Sequence, residues 1–214
     1  MTKAVIFDLD GTLVNSIYDL AAAGNYALEK VGLAPFELER YNYFVGNGIP
    51  LLIERMTNAH NRPDLYEETY KNFEEYYSDH YVDKTLPYNG IRELLQFLKD
   101  KGIKLGVVSN KAHKFTLVVV EKVFGNDLFD VVFGNRDGVP TKPAPDAVNE
   151  ILEILSLNSE DCLYVGDTGV DMQTGKNAKI KTVGVTWGFR PKQELIDNDA
   201  NVIVDNPKEI EAYI

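Results

Sequence analysis

The chain has 214 residues, 44% hydrophobic and 26% charged, which is typical of a globular protein with one well-buried core and a smaller second unit. Its net charge of −11 provides no basic stripe for a phosphate backbone, so we expect no nucleic-acid partner. Apolar runs stay well below the ~20 residues of a membrane helix, and the run before Asp8 is too short for a signal peptide. We therefore expect no membrane association and a cytoplasmic location. The single cysteine, Cys162, lies in an apolar run and is predicted to be a buried small hydrophobic residue.

In chain order, short apolar runs predict strands at residues 4–7, 103–108, 131–133, 162–165, 182–185 and 202–204. Most of these runs are continuous and several are rich in valine, which is typical of parallel strands that are covered on both faces. Amphipathic stripes between the runs predict helices, for example at residues 91–98 and 147–155. This alternation predicts an α/β fold with a Rossmann-like, doubly wound parallel sheet as its core.

One long segment, residues 16–84, interrupts the alternation and shows helical periodicity without a strand run. We predict that it forms an inserted all-helical domain, which leaves residues 1–15 and 85–214 to form the α/β core. Its tyrosines and phenylalanines recur at spacings of three and four, at positions 66, 70, 73, 77 and 81. We interpret this stripe as the core of a small helix bundle rather than as a surface that stacks on a ligand.

The first motif that could take part in a reaction is Asp8-Leu-Asp10-Gly-Thr12, directly after the first predicted strand. Ligands of open α/β sheets bind at the carboxyl ends of the strands, so chemistry is expected there. Two carboxylates one residue apart repel each other unless a cation lies nearby. The glycine between them and Thr12 permits a tight turn.

Two further motifs are weak when taken alone. Ser109-Asn110 follows the strand predicted at 103–108, where the two side chains could donate hydrogen bonds to a phosphoryl oxygen or simply form a turn. Lys142-Pro143-Ala144-Pro145 places a lysine on a loop that prolines restrict. That lysine could offset clustered aspartates and hold a phosphate, or it could be a solvated surface side chain.

The fourth motif, Gly166-Asp167-Thr168-Gly169-Val170-Asp171, again puts carboxylates where a strand ends. Asp171 could be the N-cap of the next helix, whereas Asp167 has no such simple structural role. Carboxylates at two strand ends suit Mg²⁺, which prefers hard oxygen ligands. A carboxylate can also serve as a nucleophile that forms an aspartyl-phosphate.

Together the four motifs resemble those of the haloacid dehalogenase superfamily, whose phosphatases use an aspartate nucleophile. The resemblance covers nearly the whole chain, and its most specific parts are the Asp-x-Asp-Gly-Thr run at Asp8 and the Gly-Asp-Thr-x-x-Asp run that ends at Asp171. The helical insertion resembles the α-helical cap that this family carries between its first and second motifs. Asp10 resembles the second aspartate of the phosphatase branches, which the dehalogenase branch lacks.

The resemblance implies the catalytic roles. Asp8 is expected to be the nucleophile, and Asp10 the general acid that protonates the leaving oxygen and then the base that activates water. Lys142 is expected to neutralise the charge of Asp8 and of the phosphate. The expected metal ligands for Mg²⁺ are Asp8, Asp10 through its carbonyl, Asp167 and Asp171, and the expected phosphate-binding residues of the core are Thr12, Ser109 and Asn110.

The cap contains the run Phe44-Val-Gly46-Asn47-Gly48-Ile-Pro50, which resembles a cap element of phosphoglycolate phosphatases. Its glycines would let the backbone approach a ligand closely, although an ordinary turn between helices also accounts for them. The resemblance implies that Gly46, Asn47 and Gly48 bind substrate. We therefore predict a Mg²⁺-dependent phosphatase of small phosphate esters such as 2-phosphoglycolate, acting as a monomer or homodimer.

Three alternatives stay open at this point. A phosphotransferase similar to β-phosphoglucomutase would carry the same four motifs and return the phosphoryl group to a sugar. A pyrophosphatase would use the same chemistry on a different substrate. A non-catalytic phosphate-binding protein would be expected to have lost part of a motif, and all four are intact.

Overall fold

The structure is a computed structural model that describes residues 2–214 and divides into two units. The larger unit comprises the N-terminal residues up to Asn15 together with Pro87–Ile214, and the smaller one comprises Ser16–Leu86. The segments β2 (Val14–Asn15) and β3 (Leu86–Pro87) lie where the chain passes from one unit to the other. Among the described residues, no helix combines the length and the apolar character needed to cross a bilayer.

The larger unit is built on a six-stranded sheet in the order β5-β4-β1-β6-β7-β8, in which every pair of neighbours is parallel. The strands are β1 (Ala4–Phe7), β4 (Lys104–Ala112), β5 (Val131–Asn135), β6 (Cys162–Gly166), β7 (Lys181–Val185) and β8 (Val202–Val204). All six predicted strands are present, and the predicted Rossmann-like α/β class is confirmed. The four residues of β1 and Cys162 are buried, as continuous apolar runs and a central position in the sheet require.

Helices cover the sheet: α5 (Ile91–Asp100), α6 (His113–Phe124), α7 (Asp146–Leu155), α8 (Gly169–Asn177) and α9 (Lys192–Asp197). The predicted stripe of α5 is buried, since Ile91, Leu94, Leu95 and Leu98 are all at most 1% exposed. Short 3₁₀ segments at Ser159–Asp161 and Pro207–Tyr213 complete the unit.

Strand β4 departs from its predicted end at residue 108 and continues to Ala112. Its pairing with β5 changes register between Val108 and Ala112, as at a bulge. Ser109 and Asn110 therefore lie within an irregular part of the strand, and the interpretation of these residues as a turn after the strand is wrong. Such an irregularity re-aims side chains at the end of the strand.

The smaller unit consists of the helices α1 (Ile17–Lys30), α2 (Leu38–Phe44), α3 (Ile49–Ala59) and α4 (Tyr66–His80), with a 3₁₀ turn at Pro63–Leu65. Phe73 and Tyr77 of α4 are fully buried and their rings pack 5.2 Å apart, whereas Tyr66 and Tyr70 are only partly buried. The aromatic stripe therefore supplies core in its middle, at Phe73 and Tyr77, because Tyr81 at its C-terminal end is also only partly buried. Asp19 of helix α1 contacts the C-terminal segment of the same unit. Its carboxylate accepts hydrogen bonds from the Lys84 amide and the Thr85 hydroxyl.

Candidate active site

Two neighbouring strands each end in a buried aspartate. Asp8 directly follows β1 and Asp167 directly follows β6, and the amide of Asp8 donates to the carbonyl oxygen of Val165 at 2.9 Å. Asp171 lies one turn into α8, the helix that follows β6. Carboxylate oxygens of Asp8, Asp167 and Asp171 all lie within 4.8 Å of one another, and all three residues are buried. The parallel sheet thus gathers into one cluster carboxylates that are far apart in sequence.

Lys142 contacts two of these three carboxylates. Its Nζ donates to Asp8 Oδ1 at 2.6 Å and to Asp171 Oδ1 at 2.8 Å, and its side chain is only 4% exposed. Asn110 holds the loop that carries it, because Asn110 Oδ1 accepts from the Lys142 amide at 2.9 Å and its Nδ2 donates to the Lys142 carbonyl at 3.3 Å. The interpretation of Lys142 as a solvated surface residue is therefore wrong.

Burial and like charges shape the ionisation of the cluster. Burial raises the pKa of Asp8, Lys142 lowers it and Asp171 raises it again, which leaves the Asp8 pKa at about 7. Burial, with the charges of Asp171 and Asp8, raises the pKa of Asp167 well above its usual range. Burial lowers the pKa of Lys142, but the charges of Asp171 and Asp8 outweigh this and raise it well above its ordinary value.

The donor set of this cluster fits a divalent cation. It consists of hard carboxylate oxygens, which are the ligands that Mg²⁺ and similar ions prefer. Burial, together with the neighbouring carboxylates, raises the pKa values of Asp8 and Asp167, so an added cation would stabilise their ionised forms. The cluster could therefore hold a metal ion.

Asp171 has a different structural role from the N-cap considered above. The N-cap of α8 is Thr168, whose Oγ1 accepts from the Asp171 amide at 3.2 Å, while Asp171 Oδ2 accepts from the Thr168 amide at 3.0 Å. This reciprocal pair is a capping box with aspartate in its third helical position. It holds the other carboxylate oxygen of Asp171, Oδ1, at Lys142 and within 3.4 Å of the Tyr164 hydroxyl.

Asp167 is enclosed by the backbone around it. Thr12 Oγ1 donates to Asp167 Oδ1 at 3.0 Å, and the Phe189 amide donates to Asp167 Oδ2 at 2.8 Å. Gly11 has a φ of +95°, and a Cβ at that position would lie 2.4 Å from Asp167 Oδ2, so only glycine fits. Trp187 Nε1 donates to the Thr12 carbonyl at 3.0 Å. Thr12, predicted as a phosphate ligand, therefore has its hydroxyl directed at Asp167.

A second buried lysine, Lys111, was not among the predicted site residues. Its Nζ donates to both carboxylate oxygens of Asp10, at 2.9 and 2.8 Å, and its side chain is 4% exposed. Ser109 is buried two residues before it and accepts from the Lys111 amide at 3.2 Å through Oγ. Lys111 directly follows the Ser109-Asn110 motif and shares its resemblance to phosphoglycolate phosphatases, but neither feature predicts its contact with Asp10.

The predicted cap residues Gly46, Asn47 and Gly48 lie in the smaller unit, between α2 and α3. Gly46 and Gly48 have φ angles of +103° and +86°, which favour glycine. Arg55 of α3 holds this loop: its Nη2 donates to Asn47 Oδ1 at 2.7 Å and its Nη1 donates to the Phe44 carbonyl at 2.9 Å. Arg55 is a further residue that the sequence did not single out.

Comparison with known proteins places these features in a family. Residues 5–185 match the model of the haloacid dehalogenase-like hydrolases. A phosphoglycolate phosphatase of Aquifex aeolicus is 35% identical over 188 residues, covering 87% of this chain and 86% of its own. A solved structure from Lactobacillus delbrueckii subsp. bulgaricus has a TM-score of 0.93 and 34% identity, covering 100% and 99% of the two chains. A predicted phosphoglycolate phosphatase from Haemophilus somnus has a TM-score of 0.92 and 27% identity, covering 99% and 97%.

Proposed function

The chain belongs to the haloacid dehalogenase-like hydrolases, and we propose that, as a phosphatase of that family, it cleaves small phosphate monoesters through an aspartyl-phosphate on Asp8. The observation that carries this proposal is the pairing of the Asp8 carboxylate, at the end of the central strand β1, with the buried ammonium of Lys142. Phosphoryl transfer depends mainly on positioning and on neutralising charge, and this pairing supplies both.

The proposed reaction has two steps. A carboxylate oxygen of Asp8 attacks phosphorus, the bond from phosphorus to the ester oxygen breaks, and Asp10 gives that oxygen a proton. Asp10 then accepts a proton from water, whose oxygen attacks phosphorus and releases inorganic phosphate and Asp8. An acid and base of this kind typically contributes a factor of about 10² to 10⁴ in rate.

Other residues of the larger unit hold the reacting groups. Lys142 keeps Asp8 oriented and offsets the charge on the phosphoryl oxygens, while Asn110 and Asp171 keep Lys142 in place. Ser109 is proposed to donate a hydrogen bond to a phosphoryl oxygen. Thr12 supports Asp167 through its hydroxyl and is proposed to contribute to phosphate binding.

We propose Mg²⁺ as the metal. Asp8 and Asp167 would hold it through their carboxylates and Asp10 through its carbonyl oxygen, and Asp171, which also orients Lys142, would complete the acidic set. When bound, the ion neutralises negative charge on the transferred phosphoryl group and helps to orient it. The acidic donor set supports this assignment.

The proposed substrate is 2-phosphoglycolate or a phosphate ester of similar size. Support comes from relatives that carry the name phosphoglycolate phosphatase and from the Gly46–Gly48 loop. A β-phosphoglucomutase of Clostridium difficile shares the fold, with a TM-score of 0.76 and 22% identity, so phosphotransfer to a sugar is the second candidate. Incubation with glucose 1-phosphate separates the two, because a mutase yields the 6-phosphate and a phosphatase yields free phosphate.

The experiment that tests the proposed chemistry compares Asp8→Asn and Asp10→Asn with the unchanged enzyme. Asp8→Asn is expected to abolish Mg²⁺-dependent phosphate release from p-nitrophenyl phosphate, 2-phosphoglycolate and pyrophosphate alike. In single turnovers, Asp10→Asn is expected to slow the release of glycolate from 2-phosphoglycolate more than the release of p-nitrophenol, because p-nitrophenol needs less protonation to leave. Substantial turnover by Asp8→Asn would refute the role of Asp8, and the ranking of the three substrates identifies the preferred class.

A further inference from the structure

The reaction above does not use the contact between Lys111 and Asp10, which lies in the polar cluster of the larger unit. Nζ of Lys111 donates to both oxygens of Asp10, at 2.9 and 2.8 Å, so that the carboxylate is held at both ends. The two side chains are only 4% and 14% exposed. An ion pair that is removed from water in this way has a definite geometry, unlike an exposed pair of long side chains.

The backbone that carries Lys111 is also firmly held. Its amide donates to Ser109 Oγ at 3.2 Å, and its carbonyl accepts from Thr116 Oγ1 at 3.1 Å. A Cβ on Gly134 of the neighbouring strand would lie 2.6 Å from that carbonyl oxygen, so β5 packs closely against it. The lysine therefore projects from a rigid point, the irregular end of β4, rather than from a mobile loop.

Asp10 needs such support more than Asp8 does. It lies beyond the end of β1, on the turn that contains Gly11, where the regular sheet no longer positions the chain. A general acid or base must lie within about 3 Å of the atom with which it exchanges a proton, so its orientation determines its efficiency. A donor that holds both oxygens fixes the plane of the carboxyl group.

We propose that Lys111 is a positioning residue that acts through Asp10, by fixing the orientation of the Asp10 carboxyl group towards the leaving oxygen. The inference rests on the proposed function, because it presupposes that Asp10 exchanges the proton. It assigns to Lys111 a role separate from that of Lys142, whose partners are Asp8 and Asp171. The two buried lysines thus serve different reacting groups, Lys142 the nucleophile and Lys111 the residue that transfers the proton.

The first arm of the test compares two aryl esters in single turnovers with excess enzyme and Mg²⁺. Lys111→Ala is expected to slow release of phenol from phenyl phosphate at least about tenfold more than release of p-nitrophenol, because phenol is the poorer leaving group. Lys111→Arg can keep two donors on the carboxylate and is expected to recover most of the rate that Lys111→Ala loses with phenyl phosphate. Lys3→Ala, which removes a 57% exposed lysine paired with Asp161, is the matched control and should change neither rate.

The second arm repeats the measurement in the Asp10→Asn background. If Lys111 acts through Asp10, adding Lys111→Ala there should change both rates less than about threefold, since residues that act as a unit are not additive. Equal losses on the two esters, or a full further loss in the Asp10→Asn background, would overturn the role of Lys111. If Asp10→Asn itself affects both esters equally, the proposed role of Asp10 fails instead. Circular dichroism checks folding, and Lys111→Gln carries the test if Lys111→Ala does not fold.

Discussion

At the scale of single residues, the site is defined by which carboxylate each lysine contacts. Lys142 bridges Asp8 and Asp171, and Lys111 holds Asp10. A buried charge without a partner is costly, so removing one member of such a pair should destabilise the fold in addition to any effect on the proposed reaction. A substitution in the group must therefore be assessed for activity and for stability together.

Lys142 gives the clearest prediction at this scale. Lys142→Ala should lower kcat by at least about 10², because it removes the cation that faces the nucleophile and the phosphoryl group. It should also lower the free energy of unfolding by about 3–5 kcal/mol, since Asp8 and Asp171 lose their buried partner. Phosphate release and urea unfolding measure the two effects. Lys176→Ala, which removes an exposed pair with Asp199, should change stability by less than about 1 kcal/mol and leave kcat unchanged.

The outcome that would contradict this account is a Lys142→Ala enzyme with near-normal kcat. Such a result would mean that the ammonium is structural only. Lys142→Arg provides an intermediate case, because its charge is kept while the planar guanidinium does not reproduce the tetrahedral donors that meet Asp8 and Asp171. We expect it to recover more stability than activity.

At the scale of the elements, the sequence predicted the strands better than the contacts at their ends. Continuous apolar runs identified all six strands of the sheet, because central parallel strands are buried on both faces. The irregular continuation of β4 to Ala112 was missed, because polar residues at the end of a strand resemble a turn. Lys111 was missed for a different reason: its partner Asp10 is 101 residues away in the chain, and one sequence carries no record of that contact.

The loop between α2 and α3 provides the prediction for the elements of the smaller unit. Arg55→Gln removes donors to Asn47 and to the last carbonyls of α2, which should loosen a loop that already contains two glycines with positive φ. If this loop recognises the substrate, KM for 2-phosphoglycolate should rise about tenfold while turnover of p-nitrophenyl phosphate changes little. Steady-state kinetics on both substrates measure the split.

Arg62→Gln is the matched control for that experiment. Arg62 also lies in the smaller unit, but it pairs with its near neighbour Asp64 and both side chains are largely exposed. We expect its kinetics to equal those of the unchanged enzyme. A uniform loss on both substrates in Arg55→Gln would assign Arg55 to general stability of the unit and would remove the loop from substrate recognition.

At the scale of the whole molecule, stability should depend on the site. The Asp8 pKa rises from 3.8 to about 7 in the folded protein, chiefly through burial. The folded state therefore binds more protons than the unfolded state between these two values, so the free energy of unfolding falls as the pH rises from about 4 to about 7. Below that window the contribution of Asp8 is fully present, and above it the contribution is lost.

We predict that the metal-free protein melts several degrees higher at pH 5.5 than at pH 8, and that Mg²⁺ raises the melting temperature more at pH 8. Asp8→Asn removes the titrating group and should reduce the difference between the two pH values. Differential scanning calorimetry in EDTA and then in Mg²⁺ measures this. If the melting temperature of the wild-type protein rises with pH, and Asp8→Asn leaves that pH dependence unchanged, the raised pKa of Asp8 is contradicted.

The central claim is that Asp8 carries the phosphoryl group, and trapping that intermediate tests it most directly. The enzyme is mixed with 2-phosphoglycolate and Mg²⁺, quenched in acid and reduced with borohydride, which converts an acyl phosphate of aspartate to homoserine. We predict that peptide mass spectrometry finds homoserine at position 8, that Asp10 is unmodified, and that no signal appears without substrate. Homoserine at another position, or none while phosphate is being released, would contradict the account.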